Sequence, residues 1–338
     1  MAGATVYTQG RVTAVRRRLN YYRRIFAAYL TYRQSHLTFW HDEPKVNEDF
    51  EPGELGQYYL PLVSKANYEG QYDADGIPLL DYHGAVGLQY NPIAIAQYGL
   101  GNFNLYRRSG DPGRRRKFLQ AADWLLENME RNSSGLWVWN HHFDFEYRTM
   151  LRAPWYSALA QGQGISLLVR THQETGQSAY IDAAERAFQS FTRGVDEGGV
   201  AYVDSAGHMW FEEYIVSPPT HILNGFVSAS LGVYDYFLAT GERAAGGLFE
   251  SAVDTMAASL DSYDTGSWSL YEQSGTRLKM LASPYYHRLH IALLEVLYRL
   301  TGQDVFRRYA LNWEAYGGSR FKRTKALAYK ALFKLFYY

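Results

Sequence analysis

The sequence contains no cysteine and no long hydrophobic run, and its formal net charge is zero. The absence of cysteine excludes a disulfide framework and any zinc site with thiolate ligands. No stretch of about 18 apolar residues occurs, so the sequence predicts no membrane-spanning helix. With 34 basic and 34 acidic side chains, the chain lacks the positive excess that favours nucleic acid as a partner. A polyanion would have to bind a local cluster of basic residues.

The two ends of the chain are locally basic. Basic residues interrupt the apolar ones between Arg11 and Arg24, so this region does not have the order of a cleaved signal peptide. We therefore expect a cytoplasmic protein. Residues 321–338 are predicted to form a basic amphipathic helix. Such a helix could lie on an anionic membrane, or it could dock on the protein through its Leu and Phe residues, and the sequence favours neither alternative.

Tyrosine is unusually frequent, with 30 copies, and aromatic residues make up 16% of the chain. Aromatic rings pack against the apolar faces of sugars, but they also fill helical cores. Three segments place tyrosines beside carboxylates or histidines: Trp210–Tyr214, Tyr263–Tyr271 and Tyr285–His290. A tyrosine hydroxyl can donate or accept a proton, so convergence of these segments would form a chemically active cleft.

Four glycines, each preceded by Ser or Thr, recur at intervals of 61 to 66 residues, at positions 110, 176, 241 and 302. Glycine just past a helix adopts the left-handed conformation that ends the helix. An amphipathic segment follows each glycine, at residues 118–129, 180–191, 248–260 and 305–313. The pattern predicts a mainly α fold, an α/α toroid of four helical hairpins.

The sequence divides into three regions. We expect residues 1–85 to form a helix, at 11–32, and an irregular arm packed on the toroid. We expect residues 86–320 to form the toroid as a catalytic domain, and Pro92 suits the first turn of its first helix. Residues 321–338 form the C-terminal basic helix.

The long connections between hairpins carry many of the aromatic and charged residues. Short β-hairpins are expected in them, one of them from residues 200–204 and 208–211. Because loops from several repeats meet at one end of a toroid, we expect the functional site at that end.

Five motifs stand in the order found in one known family. They are Asn91–Leu100, Trp155–Gln163, Glu212–Tyr214 with Leu223–Phe226, Tyr263–Ser267, and Tyr286–His287. Over roughly residues 58–316 the chain resembles the D-glucuronyl C5-epimerases, in a compact bacterial-type version. The resemblance implies catalytic roles for Glu213, Tyr214, Tyr271 and Tyr286. It implies no cofactor.

Substrate contacts are predicted at further polar or aromatic positions. These are Tyr59, Lys65, Asn67, Tyr82, Asn91, Glu146, Gln163, Asn224, Arg277, His287 and Arg288. For Gln163, which lies between two glycines, tight helix packing is an equal alternative.

Epimerisation at C5 of a uronic acid needs a base on one face, an acid on the other, and groups that stabilise the enediolate. A free phenol has a pKa of about 10, so a tyrosine base needs a cation or hydrogen-bond donors nearby. Arg277, Arg288 and His287 are the candidates. Glu213 could itself be the base or could hold a tyrosine in place, and for Tyr271 and Tyr286 the alternative is aromatic packing.

No metal site is expected. His287 and His290 are three residues apart and could share a helix face, but no third ligand stands at a supporting spacing. Animal epimerases of the family insert a β-rich, calcium-binding domain between the segments matching Tyr98 and Trp155. This chain has 56 residues there, so we expect no calcium.

The resemblance implies conversion of D-glucuronic acid to L-iduronic acid in a heparosan-like polysaccharide, by removal of the C5 proton and its return from the opposite face. A polysaccharide lyase, a glycoside hydrolase acting on a uronate polymer and a non-catalytic glycan-binding protein are the alternatives. We expect an acidic polysaccharide and no nucleic acid as partner. A homodimer and contact of the C-terminal helix with a membrane are left open.

Overall fold

The computed structural model describes residues 39–40, 43–147 and 149–337. The basic helix expected at 11–32 lies outside these residues. Within them the protein is mainly helical, with short β-hairpins in the connections between helices.

The described part of the N-terminal arm contains a short helix and a small sheet. Helix α1 is Val63–Ala66, and the strands are β1 (Gln71–Tyr72), β2 (Pro78–Asp81) and β3 (Leu88–Gln89). Strand β2 pairs antiparallel with both neighbours. The backbone N–H of Tyr58 donates to Oδ1 of Asn104 at 2.7 Å, which ties the arm to the first long helix. The arm is therefore more regular than the sequence predicted.

Eight long helices in the described residues form four consecutive hairpins. In each hairpin the first helix is the more buried, so the four first helices are the inner ones. The inner helices are α2 (Pro92–Ser109), α4 (Ala158–Thr175), α6 (Leu223–Thr240) and α8 (Pro284–Thr301). The outer helices are α3 (Pro112–Glu127), α5 (Ser178–Phe188), α7 (Arg243–Tyr263) and α9 (Asp304–Gly318). This arrangement confirms the predicted toroid of helical hairpins.

Each inner helix ends at its predicted glycine. The φ angles of Gly110, Gly176, Gly241 and Gly302 are +68°, +71°, +71° and +69°. The backbone N–H of each glycine donates to the carbonyl four residues earlier, which caps the last turn.

Helices α4 and α6 approach each other closely. A Cβ atom added to Gly162 would lie 2.6 Å from the Cα atom of Ala229, so a larger residue would push the helices apart. This contact brings the N-terminal ends of the two inner helices together.

The N-terminal ends of the inner helices share one end of the toroid with the long connections. Side-chain oxygens of Asn91, Ser157 and Ser283 accept hydrogen bonds from first-turn N–H groups of α2, α4 and α8. The connections contain three hairpins: β4 (Glu130–Arg131) with β5 (Trp137–Val138), β6 (Phe145–Glu146) with β7 (Met150–Leu151), and β8 (Ala201–Val203) with β9 (Met209–Phe211). The last of these is the predicted hairpin.

A buried ion pair crosses the inner layer. Arg170 of α4 and Asp235 of α6 are fully buried, with Nη1 and Oδ2 2.6 Å apart. The hydroxyl of Tyr59 donates to Oδ1 of Asp235 at 2.7 Å. Asp235 lies twelve residues after Leu223, about 18 Å along the helix from its first residue. The network therefore ties the arm to the toroid well below the end where the connections meet.

The C-terminal helix α10 (Arg320–Tyr337) docks on the loop of residues 272–283. Ala326 and Phe333 are buried. The backbone N–H of Lys279 donates to the hydroxyl of Tyr329 at 3.1 Å, and Nζ of Lys330 donates to the carbonyl of Leu281 at 3.0 Å. Of the helices in the described residues, none has the length and apolar character needed to cross a membrane.

Candidate active site

A cluster of tyrosines lies where the connections meet the N-terminal ends of the inner helices. Tyr214 follows β9 closely, and its ring centroid is 4.5 Å from that of Tyr147. The rings of Phe145 and Trp155 lie 5.8 Å from the Tyr214 ring. The connection before α4 therefore packs directly on the connection before α6.

Tyr271 and Tyr286 form a second aromatic pair, with ring centroids 4.9 Å apart at 60°. The carbonyl of Tyr271 accepts the N–H of Leu223 at the start of α6. Tyr286 lies in the first turn of α8, where its N–H donates to the side chain of Ser283. Backbone contacts at two helix starts thus fix this pair.

The two aromatic groups belong to one site. Burial raises the pKa of Tyr214 well above its usual value, and negative charge on Glu213, or on Tyr286 or Tyr82 when they ionise, raises it further. The hydroxyl of Tyr82 accepts a hydrogen bond from Nδ2 of Asn91 at 2.8 Å. The structure therefore brings together residues from the arm and from three inner-helix starts.

Glu213 is the buried carboxyl of this cluster, with 4% of its surface exposed. Burial raises its pKa to about 8; a hydrogen bond from Tyr214 lowers the pKa, and the charge of Glu212 raises it. Nδ2 of Asn224 lies 3.5 Å from Oε2 of Glu213. At neutral pH this group can both hold and release a proton, as a general acid or base requires.

Asn224 also presents an open hydrogen-bond acceptor. Its side chain is buried, and within the described residues its Oδ1 atom has no hydrogen-bond partner. Buried polar atoms are seldom left unsatisfied. This oxygen can therefore accept a hydrogen bond from a hydroxyl group of a bound molecule.

Glu212 points away from Glu213 and organises its own loop. Its Oε1 lies 2.5 Å from Nδ1 of His221, and its Oε2 accepts the backbone N–H groups of Thr220 and His221. The carboxyls of Glu212 and Glu213 therefore have different partners. This is expected of adjacent residues, whose side chains point to different faces.

Glu272 is a buried carboxyl that sequence reasoning missed. The hydroxyl of Tyr147 donates to its Oε2 atom. Burial raises the pKa of Glu272 to about 7, while a hydrogen bond from Ser274 and the charge of Lys330 lower it. Only its position directly after Tyr271 could have drawn attention to it, because its partner lies 125 residues away.

His287 cannot supply the predicted positive charge near neutral pH. Burial lowers its pKa to about 4. Nε2 donates to the carbonyl of Trp313 at 2.9 Å, which leaves Nδ1 as the acceptor for the hydroxyl of Ser269 at 2.8 Å. The ring stacks on Trp268 at 3.8 Å. His287 therefore supports the loop as a neutral group and is removed from the list of candidate cations.

The other predicted cations differ in position. Arg277 and Arg288 are exposed, as is Glu146 at the end of β6. Lys65 is buried, its Nζ donates to the carbonyl of Phe39, and Nζ lies 5.9 Å from the ring of Tyr285. Lys65 is thus a cation beside the first turn of α8.

Two predicted contacts lie away from the cluster. The hydroxyl of Tyr59 is bound to Asp235 in the core. Oδ1 of Asn67 accepts from Nη2 of Arg114 at 2.6 Å, and Arg114 also donates to Asn102, ten residues after the start of α2. Ten residues of helix span about 15 Å. We therefore leave Tyr59 and Asn67 out of the candidate site.

Gln163 has the packing contacts that the sequence allowed as an alternative. It is 2% exposed, and its Oε1 accepts from Nε2 of Gln97 at 3.1 Å, between α4 and α2. Helix packing accounts for this contact, so we leave Gln163 out as well.

Across the part of the chain that is described, no group of three or more His, Cys, Asp or Glu side chains could hold a metal ion. His287 and His290 instead share a hydrogen-bonding partner, the hydroxyl of Ser269, at 2.8 and 3.0 Å.

Comparison with solved structures places the fold. The chain superposes on cellobiose 2-epimerase from Spirochaeta thermophila DSM 6192 with a TM-score of 0.51 and 13% sequence identity, covering 90% of this chain and 86% of that one. At this identity the likeness concerns the fold alone, which is that of the α/α toroid enzymes.

Two curated proteins are similar in sequence. The D-glucuronyl C5-epimerase of Caenorhabditis elegans is 31% identical over 224 residues, which cover 61% of this chain and 36% of that protein. An uncharacterized protein of Methanocaldococcus jannaschii is 29% identical over 197 residues, which cover 57% of this chain and 62% of that protein. The chain thus matches less than two thirds of the length of either relative.

The sequence profile described as D-glucuronyl C5-epimerase C-terminus matches residues 131–315. This segment is more than half of the chain and contains Glu213, Tyr214, Tyr271 and Tyr286. The protein therefore belongs to the D-glucuronyl C5-epimerase C-terminus family.

Proposed function

We propose that this protein is a polysaccharide uronyl C5-epimerase that converts D-glucuronic acid to L-iduronic acid within a heparosan-like chain. One observation carries the proposal: Tyr214 is hydrogen bonded to Glu213 and lies within electrostatic range of Tyr286, whose ring packs on Tyr271. One proton-transfer group thus comes from the connection before α6 and the other from the first turn of α8.

Glu213 and Tyr214 together supply the base. A free Tyr214 phenolate is unfavourable, because burial keeps the pKa of this hydroxyl well above its usual value. The hydrogen bond to Glu213 offers a lower-energy route. As the C5–H bond breaks, Tyr214 takes that proton and passes its own hydroxyl proton to the ionised Glu213, and the electron pair moves into the enediolate of the substrate.

Tyr286 returns a proton to the opposite face of C5. Its O–H bond breaks and the new C5–H bond forms. After release, water carries the proton from Glu213 to the Tyr286 phenolate, which restores both groups. Tyr271 packs edge-on against Tyr286 and holds its ring. In the reverse reaction the two groups exchange roles.

Developing negative charge on the substrate carboxylate needs positive groups. The N-terminal ends of α2, α6 and α8 carry partial positive charge toward this end of the toroid. The buried ammonium of Lys65, beside the first turn of α8, adds a full charge. Asn224 offers its Oδ1 atom to a sugar hydroxyl.

The flanking sugars would extend over more exposed side chains. The exposed guanidinium groups of Arg277 and Arg288 are suited to pair with the carboxylates of neighbouring uronic acids. Glu146 of β6, which is also exposed, would contact the chain as well. Tyr82 and Asn91 are buried and joined by a hydrogen bond, and they would face the chain from the arm.

Incubation of the protein with heparosan and with N-sulfated heparosan in deuterated water tests the proposal. Deuterium at C5, iduronic acid and an unshortened polymer are the expected products. Shortened chains with ultraviolet absorbance from an unsaturated product would identify a lyase, and shortened chains without it a hydrolase. Binding without exchange would identify a glycan-binding protein, and each of these three results would refute the epimerase.

A further inference from the structure

Tyr147 and Glu272 connect the two aromatic pairs of the site. Tyr147 follows β6, and its hydroxyl donates to the carboxyl of Glu272. Glu272 directly follows Tyr271 in the chain. The hydrogen bond therefore joins the connection before α4 to the connection before α8.

The ring of Tyr147 packs on the ring of Tyr214, with centroids 4.5 Å apart and planes inclined at 47°. On the other side, the ring of Tyr271 packs on that of Tyr286. Rotation of the Tyr147 ring would move the surface against which Tyr214 rests. The hydrogen bond to Glu272 opposes this rotation, because a buried hydroxyl keeps its partner.

We propose that Tyr147 and Glu272 are positioning residues that fix the direction of the Tyr214 hydroxyl toward the sugar. This inference rests on the proposed function. Neither residue touches the reacting carbon; both act through Tyr214. A misplacement of a proton-transfer group by about 1 Å can slow a reaction about a hundredfold, so such support affects the rate more than substrate binding.

Within the described residues, two elements bring ionisable groups to Glu272. The hydroxyl of Tyr147 approaches from the β6 hairpin, and the ammonium of Lys330 approaches from α10. Ser274, in the same loop, donates a hydrogen bond. Each of these groups stabilises the ionised carboxylate. Loss of the Tyr147 or Ser274 hydroxyl would therefore raise the pKa of Glu272 further.

Two substitutions test the pair. In Tyr147→Phe, which keeps the ring, kcat for C5 exchange should fall about tenfold while KM stays within about twofold. In Glu272→Gln the neutral amide oxygen still accepts from Tyr147, but more weakly than a carboxylate does, so kcat should fall by a smaller factor than in Tyr147→Phe. The kcat profile of the unaltered protein should show an ionisation near pH 7, which Glu272→Gln removes and Tyr147→Phe moves to higher pH.

Tyr180→Phe is the matched control, because the hydroxyl of Tyr180 donates to the carboxyl of Asp123 between two outer helices. It should leave kcat and the pH profile unchanged. If Tyr147→Phe keeps both the rate and the profile, the positioning role is refuted while the epimerase stands. If the unaltered protein shows no C5 exchange, the proposed function and this inference fall together.

The exposed side of α10 carries a second, independent signal. Phe321 is 78% exposed, Leu327 47% and Leu332 44%. The helix contains six basic residues and no acidic one. Phe321, Lys325 and Leu332 are spaced by four and seven residues and so share one side, away from the buried Ala326. Apolar and cationic groups thus alternate on a surface that faces solvent.

We infer that this side of α10 binds an anionic lipid surface. The ammonium of Lys325 would contact phosphate headgroups, and Phe321 and Leu332 would enter the boundary of the hydrocarbon. The apolar side chains favour lipid over an acidic polysaccharide, since a polysaccharide needs only the cations. The other side of the helix stays docked on the toroid.

Sedimentation of the full chain with vesicles tests this surface. The protein should bind phosphatidylcholine vesicles that contain phosphatidylglycerol at least about tenfold more tightly than pure phosphatidylcholine vesicles. The double variant Phe321→Ser with Leu332→Ser should lose about tenfold in binding to the mixed vesicles. Val203→Ser, which changes a residue 62% exposed on β8, is the matched control and should bind normally.

Three results would overturn the lipid surface. The first is equal binding to both kinds of vesicle, or none. The second is a double variant that binds mixed vesicles as tightly as the unaltered protein. The third is that the unaltered protein does not bind vesicles, and that the double substitution instead abolishes dimer formation or heparosan binding.

Discussion

The carboxyl side chain of Glu213 lies directly against the backbone of Gly225 in the first turn of α6. A Cβ atom added to Gly225 would lie 2.7 Å from the Cβ atom of Glu213, a separation that real structures do not show. The absence of a side chain at Gly225 therefore allows Glu213 to occupy its position beside Tyr214.

The substitution Gly225→Ala should displace Glu213. We expect kcat for C5 exchange to fall about a hundredfold, because a proton-transfer group moved by about 1 Å loses that much rate. Stability should fall by about 1–3 kcal/mol from overpacking, as measured by urea denaturation. Gly247→Ala is the control, since an added Cβ there meets nothing within 4 Å. Normal exchange by Gly225→Ala would show that the position of Glu213 does not matter.

The dependence of kcat/KM on pH should identify the base. If Glu213 must be ionised, activity rises with pH and levels off above about pH 8, where its carboxyl has lost its proton. If a free Tyr214 phenolate were the base, activity would continue to rise beyond pH 10, because burial keeps that pKa well above its usual value. A profile of C5 exchange across this range distinguishes the two.

Glu213 should also make stability depend on pH. Its pKa is raised by burial from the ordinary 4.5 to about 8, so the folded protein binds the proton more tightly than the unfolded chain. The resulting stabilisation is complete below about pH 4.5 and is lost as pH rises to about 8, on the order of a few kcal/mol.

The variant Glu213→Gln, which cannot ionise, provides the comparison. Between pH 5 and pH 8 its thermal midpoint should fall less than that of the unaltered protein. Part of the fall should remain, because burial also raises the pKa of Glu272, to about 7. Identical pH dependence of the two proteins would contradict a buried, protonated Glu213.

Tyr59 should act on stability rather than on catalysis. Tyr59→Phe removes a hydrogen bond to the buried carboxylate of Asp235 and should lower the free energy of unfolding by about 1.5–3 kcal/mol. KM for the polymer should not change. Tyr106→Phe is the control. It removes a hydrogen bond to the partly buried Glu174 and should lower the free energy of unfolding by less. A raised KM in Tyr59→Phe with normal stability would restore Tyr59 as a substrate contact.

Local signals in the sequence were sufficient to predict the architecture. Glycines such as Gly110 and Gly302 end helices through their own backbone conformation, which depends little on the rest of the chain. The hairpin of β8 and β9 likewise follows from neighbouring residues. Segments whose structure is decided within a few residues can be predicted from sequence.

The residues of the candidate site could be predicted where sequence motifs mark them. They could not be predicted where contacts between distant parts of the chain determine which side chains meet. The resemblance led to Glu213, Tyr214, Tyr271 and Tyr286, which the structure brings to one end of the toroid. It gave no indication of the hydrogen bond between Tyr147 and Glu272.

Two predicted substrate contacts are buried among other partners in the structure, which the sequence alone does not indicate. His287 carries no positive charge near neutral pH because burial lowers its pKa, and Tyr59 is held in the core by Asp235. Burial and pairing over long distances in the chain are properties of the folded protein.

The proposed epimerisation depends above all on proton transfer at C5 by Tyr286. Its most direct test is deuterium incorporation at C5 of heparosan by Tyr286→Phe, beside Tyr298→Phe, a substitution near the opposite end of α8. We expect Tyr286→Phe to lose exchange by at least about a hundredfold with an unchanged thermal midpoint, and Tyr298→Phe to exchange normally. Exchange by Tyr286→Phe at the rate of the unaltered protein would contradict it.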